Sequence, residues 1–104
     1  MKDRKIRLGV VGVDSGHLLI CDPCYLDSHS AFKFENITGA LGLSSGNPRR
    51  WKKSAQLTYD LGHAGAGIVF QSGLGDGAYE VWARVGKVNG LGERIKEVTV
   101  KLIP

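Results

Sequence analysis

Apolar and polar residues alternate with a period of two through much of this chain, and glycines fall where the alternation breaks. Arg7 to Val13 is a β-branched run punctuated by Gly9 and Gly12. Each glycine costs a helix about 1 kcal/mol relative to alanine, so the run predicts a strand. Asp14-Ser15-Gly16 is a turn signal, and His17 to Cys21 resumes the apolar run, so the two runs predict a hairpin. Asp22-Pro23 ends it, because proline has no N–H for a ladder.

Residues 27–55 are the least regular part. Phe32 and Phe34 alternate and suggest a short strand. Asn47-Pro48 has the form of an N-cap followed by a first helical residue, so a short helix is expected there. Gln56 to Leu61 alternates again, with Leu57, Tyr59 and Leu61 on one face. Gly62 to Gly67 is glycine-rich, and Ile68-Val69-Phe70 reads as a strand buried on both faces. Ser72 to Gly77 is a loop, and Ala78 to Val85 a strand with Tyr79, Val81, Ala83 and Val85 on one side. Val98, Val100 and Leu102 form the apolar face of a last strand. Ile95 has the wrong parity for that face, which predicts a bulge or a later start near Lys96. Short strands separated by glycine turns predict an all-β or β-rich α+β fold. The expected form is a small antiparallel sandwich or barrel with at most one or two short helices.

Composition narrows the class. The chain has 104 residues, 42% hydrophobic and 23% charged, which suits one globular domain over residues 1–104. Its 15 glycines are about twice the usual share. No apolar run approaches the roughly 20 residues of a membrane helix, so no membrane partner is expected. The start of the chain lacks the form of a secretory signal, and with only two cysteines a reducing cytoplasm is expected. The formal charge of +4 is uneven. Residues 1–7 carry a net +3 and 49–53 a net +4, leaving −3 for the remainder. Residues 1–5 read as a flexible basic terminus.

Four segments carry candidate chemistry. Cys21-Asp22-Pro23-Cys24 has C-x-x-C spacing, which serves half a zinc site or a redox pair. A zinc site would need two of His17, His29 and His63, and a redox pair would need a following helix. Two reduced, structural thiols are the simpler expectation. Gly73-Leu74-Gly75-Asp76-Gly77 offers backbone N–H groups as a phosphate loop does, but it leads into a strand and carries Asp76. A hairpin turn is expected, with a divalent cation at Asp76 as the sharper alternative. Arg49-Arg50-Trp51-Lys52-Lys53 has the residue types of a nucleic-acid contact. The acidic balance elsewhere favours a solvated loop anchored by Trp51. Trp82, between Glu80 and Arg84, is a surface stripe or a ligand groove.

Two stretches, Val13 to Tyr25 with its D-P-C-Y and Ser72 to Val81 with its G-D-G-x-Y-x-V, resemble an uncharacterised family of small bacterial and phage proteins. In that pattern the cysteine of D-P-C-Y is regular and the residue before the aspartate is variable, which makes Cys21 incidental. The basic loop lies outside the pattern. The resemblance implies a β-rich fold and a site around Asp22, Cys24, Tyr25 and Asp76, and it implies no reaction.

The residues and the resemblance together predict a ligand site formed by Asp22, Cys24, Tyr25, Gly75, Asp76, Gly77 and Tyr79, with Asp22 and Asp76 at a common rim. The leading function is a non-catalytic binding module for a small polar ligand, cation or protein partner. The alternative is a hydrolase or metal-dependent enzyme using Asp22, Asp76, Cys24 and a histidine. The third is nucleic-acid binding through residues 49–53. The sequence names no cofactor.

Overall fold

A computed structural model describes residues 2–103. The chain divides into two compact units, one formed by residues up to Gly16 with those from Ser72, the other by His17–Gln71. Among the described residues there are six strands and one α-helix: β1 Arg4–Val13, β2 His17–Cys21, α1 Phe34–Ala40, β3 Ser54–Thr58, β4 Ala64–Gln71, β5 Gly77–Val88 and β6 Gly92–Val100. The β-rich expectation holds. No helix of the described residues is long and apolar enough to cross a membrane.

The first unit is an antiparallel sheet in the order β1-β5-β6. Its apolar side follows the alternation of β5: Tyr79, Ala83 and Val85 are buried. Across the ladder Val98 pairs with Ala83 and Ile95 with Val85. The register shifts between them, so Lys96 is the extra residue of a bulge. The bulge corrects the parity of Ile95 and brings it to the face of Val98, as the sequence required. On the opposite side Trp82 is half-buried, with Lys101 Nζ 5.3 Å above its ring. Lys101, just past the end of β6, thus places its cation over the Trp82 ring. The terminus is engaged as well. Arg4 and Lys5, expected in a flexible segment, lie in β1. Arg4 pairs with Glu93 at 2.6 Å, and Asp3 pairs with Lys96 at 2.9 Å and with Arg84.

The second unit is an antiparallel sheet in the order β2-β4-β3 with α1 and several single 3-10 turns. Leu41, Leu57, Ala66 and Val69 form its core. Four expectations fail here. The hairpin over 7–21 does not form: β1 pairs with β5 and β2 with β4. β5 has 12 residues and β2 only 5, so β1 gains a longer ladder by reaching across the sequence. Phe32 and Phe34 are not in a strand. Phe32 closes the 3-10 turn Ser30–Phe32 and Phe34 opens α1. Ile37, Ala40 and Leu41 have helical spacing, and their burial outweighs a two-residue alternation. Ile68 is 46% exposed, so β4 buries only one face, through Val69. Leu61 is 91% exposed because β3 stops at Thr58 and the chain turns outward. The expected short helix at Asn47-Pro48 is present as the 3-10 turn Pro48–Arg50, with Asn47 Oδ1 accepting from the Arg49 N–H at 3.1 Å.

Candidate functional site

Asp22-Pro23-Cys24-Tyr25 is a small machine for placing one aromatic ring. Asp22 keeps extended dihedrals, as a residue before proline must, and its Oδ1 accepts from the Cys24 N–H at 3.1 Å. Pro23 opens the 3-10 turn and Tyr25 N–H donates to the Asp22 carbonyl. The chain keeps turning, so that the His29 N–H donates to the Tyr25 carbonyl at 3.2 Å. That bond sets Tyr25 and His29 edge to face, with centroids 4.9 Å apart.

The β3–β4 connection supplies the other half. Tyr59 N–H donates to the His63 carbonyl at 2.9 Å and Gly62 N–H to the Tyr59 carbonyl at 2.8 Å. The closed turn stacks the Tyr59 and His63 rings, with centroids 4.5 Å apart and planes 29° from parallel. Gly65 makes room, since a Cβ there would stand 3.2 Å from the Tyr59 ring. Tyr59 also meets the edges of Tyr25 at 5.5 Å and His29 at 5.4 Å. Four rings from two distant segments therefore form one cluster.

Asp60 borders it. Ser30 Oγ donates to Asp60 Oδ1 at 2.9 Å, and Oδ2 lies 3.7 Å from His29 Nδ1, a buried nitrogen with no hydrogen-bond partner among the described residues. Tyr25, His29, Tyr59, Asp60, Leu61 and His63 line an open hollow of about 400 Å³. Two further hollows, of about 440 and 480 Å³, also reach Asp60. The Tyr25 hydroxyl is held above its ordinary value, chiefly by Tyr59 and then by Cys24, burial and Asp22, so it remains a neutral donor. The exposed Cys24 thiol is raised too, first by its hydrogen bond to Asp22 and then by burial, which disfavours the nucleophilic thiolate. Cys21, half-buried at the end of β2, and Cys24 are both free. The Ser30 hydroxyl bonds to the aspartate, and a histidine would have to receive it to activate a serine. Among the described residues no group of three or more His, Cys, Asp or Glu is gathered as a metal would need.

The second motif sits in the other unit. Tyr79 is buried, and its hydroxyl donates to the Gly75 carbonyl at 2.6 Å. Ser72, fully buried, donates its Oγ to the same carbonyl at 2.7 Å. Gly75 has φ +93°, a left-handed value suited to glycine. Asp76 and Gly77 are exposed at this turn, and Tyr79 locks it. Of the expected site residues, Asp22, Cys24 and Tyr25 stand together in the second unit, and Gly75, Asp76, Gly77 and Tyr79 in the first. The sequence offers His29 and His63 only as possible zinc ligands, and it gives Tyr59 and Asp60 no role at a site. The available signals were the four-residue step from Tyr25 to His29 and the rings flanking the glycine-rich turn. Comparison with protein-family models, curated proteins and solved structures gives no match for this chain.

Proposed function

We propose that the protein is a non-catalytic binding module whose site is the hollow around Tyr25, His29, Tyr59 and His63, and that its ligand is a small organic cation. One observation carries the reading: aromatic rings are gathered beside the half-exposed Asp60 carboxylate. Aromatic faces attract a poorly hydrated cation, and a carboxylate fixes its position. The raised thiol of Cys24 and the Ser30–Asp60 bond support binding over covalent chemistry.

Choline is a suitable probe. In a titration followed by aromatic ¹H–¹³C correlation spectra, saturable shifts are expected at Tyr25, His29, Tyr59 and His63, at matched ionic strength. Asp60→Asn should weaken binding several-fold with the fold intact. Linear shifts with no saturation at millimolar choline, or shifts centred elsewhere, would overturn the assignment.

A further inference from the structure

Residues 49–53 take no part in the hollow. The sequence points to Trp51 as the anchor of this loop, but Trp51 is 49% exposed. The main chain is the anchor instead. Trp51 N–H donates to the Pro48 carbonyl at 3.2 Å. Lys52 N–H donates to the carbonyl of buried Leu41 at 2.9 Å, and the Lys53 carbonyl accepts from the Gln71 N–H at 2.8 Å. Gly42, at φ +78°, lies so close to the Arg50 carbonyl that any Cβ would overlap its oxygen. The backbone is therefore fixed, while residues 49–53 are all exposed.

Among the described residues Arg49, Arg50, Lys52 and Lys53 form no ion pair, whereas Arg4, Arg7, Arg84 and Lys96 each do. Four uncompensated cations on an already ordered backbone repel one another, and an anionic partner relieves that repulsion with little main-chain ordering cost.

We propose that this loop binds single-stranded nucleic acid, with Trp51 stacked on one base and the two flanking pairs of cations on phosphates to either side. A single strand fits because stacking needs an exposed base face. An anionic membrane fits less well, since binding there needs a broad apolar face and residues 44–54 offer only Pro48 and Trp51. The inference is independent of the aromatic hollow.

Fluorescence anisotropy of a labelled oligo-dT with the whole protein tests it. Saturable binding is expected, with a log–log salt slope of about −3, since each phosphate neutralised on a single strand releases roughly 0.7 counterion. Trp51→Ala should weaken binding on the order of tenfold, and Trp51→Phe should retain most of it. R49Q/R50Q/K52Q/K53Q should abolish binding with an unchanged circular dichroism spectrum. Absence of oligo-dT binding at low salt would overturn the proposal. So would wild-type affinity in Trp51→Ala, or binding confined to phosphatidylserine vesicles.

Discussion

Two turns in this protein share one local grammar and put it to opposite uses. In each, an aspartate at a break beside a strand precedes a tyrosine by three residues: Asp22 with Tyr25, and Asp76 with Tyr79. Tyr79 is buried and commits its hydroxyl to the carbonyl of its own turn. Tyr25 is half-buried and joins a cluster with rings from the β3–β4 connection. The difference lies in the backbone. Glycines let the second turn fold back until a carbonyl meets the Tyr79 hydroxyl. Pro23 makes the first turn a rigid 3-10 step, from which the Tyr25 ring reaches Tyr59 and His29 and not a carbonyl of a glycine turn. Spacing alone therefore does not separate a ring that joins a tertiary cluster from one that locks its own turn; the backbone of each turn does.

The largest test of this contrast is truncation. Tyr79→Ala should cost about 3–5 kcal/mol in urea unfolding, as loss of a buried aromatic does. Tyr25→Ala should cost much less and act mainly on choline binding. If both lose the same stability, the two tyrosines share one structural role and the contrast breaks.

Removing the cap of the first turn comes next. Asp22→Ala should cost about 1 kcal/mol, through loss of the bond to the Cys24 N–H. It should also lower the Cys24 pKa, because the hydrogen bond to Asp22 is the main cause of its elevation. Iodoacetamide alkylation followed against pH would show its midpoint moving to lower pH.

Hydroxyl deletion sharpens the contrast further. Tyr79→Phe leaves the Gly75 carbonyl with one donor fewer and should cost about 1 kcal/mol. Tyr25→Phe should stay within about 0.5 kcal/mol of the parent.

These outcomes bear on how much could be read beforehand. The strands were legible because period two is strong in β5 and β6, and the parity of Ile95 located the bulge at Lys96. The β1–β2 hairpin does not follow from the sequence because a turn signal says where a chain bends, not which strand it will pair with. Within residues 27–55 only the Asn47-Pro48 turn is legible, because single 3-10 turns are too short to show a period and α1 has only 7 residues. The D-P-C-Y motif singles out Tyr25 of the aromatic cluster. The gathering of His29, Tyr59, Asp60 and His63 around it is not legible, since tertiary packing brings the β3–β4 turn to residues some 30 positions earlier in the chain.

The smallest effect concerns acid. Hydrogen bonds from Lys96 and then Arg84 hold Asp3 below its ordinary 3.8, and the hydrogen bond from Arg4 holds Glu93 below 4.5. A carboxylate lowered on folding adds stability that is fully present above its unfolded value and is lost as pH falls through the folded one. The urea midpoint of the parent should therefore drop below about pH 4, and Asp3→Asn should flatten that drop. Exposed pairs of this kind are worth little, so the change should be small.

The bulge at Lys96 has one more consequence. Among the described residues β6 has a ladder partner on one side only, and eight of its nine residues are exposed, which makes its outer edge an open template for another chain. An incoming strand needs evenly spaced N–H and C=O groups. The bulge interrupts that spacing midway, and Glu93, Arg94, Lys96 and Glu97 crowd it with charge. Deleting Lys96 would straighten the edge, and faster fibril formation in a thioflavin assay is the expected result.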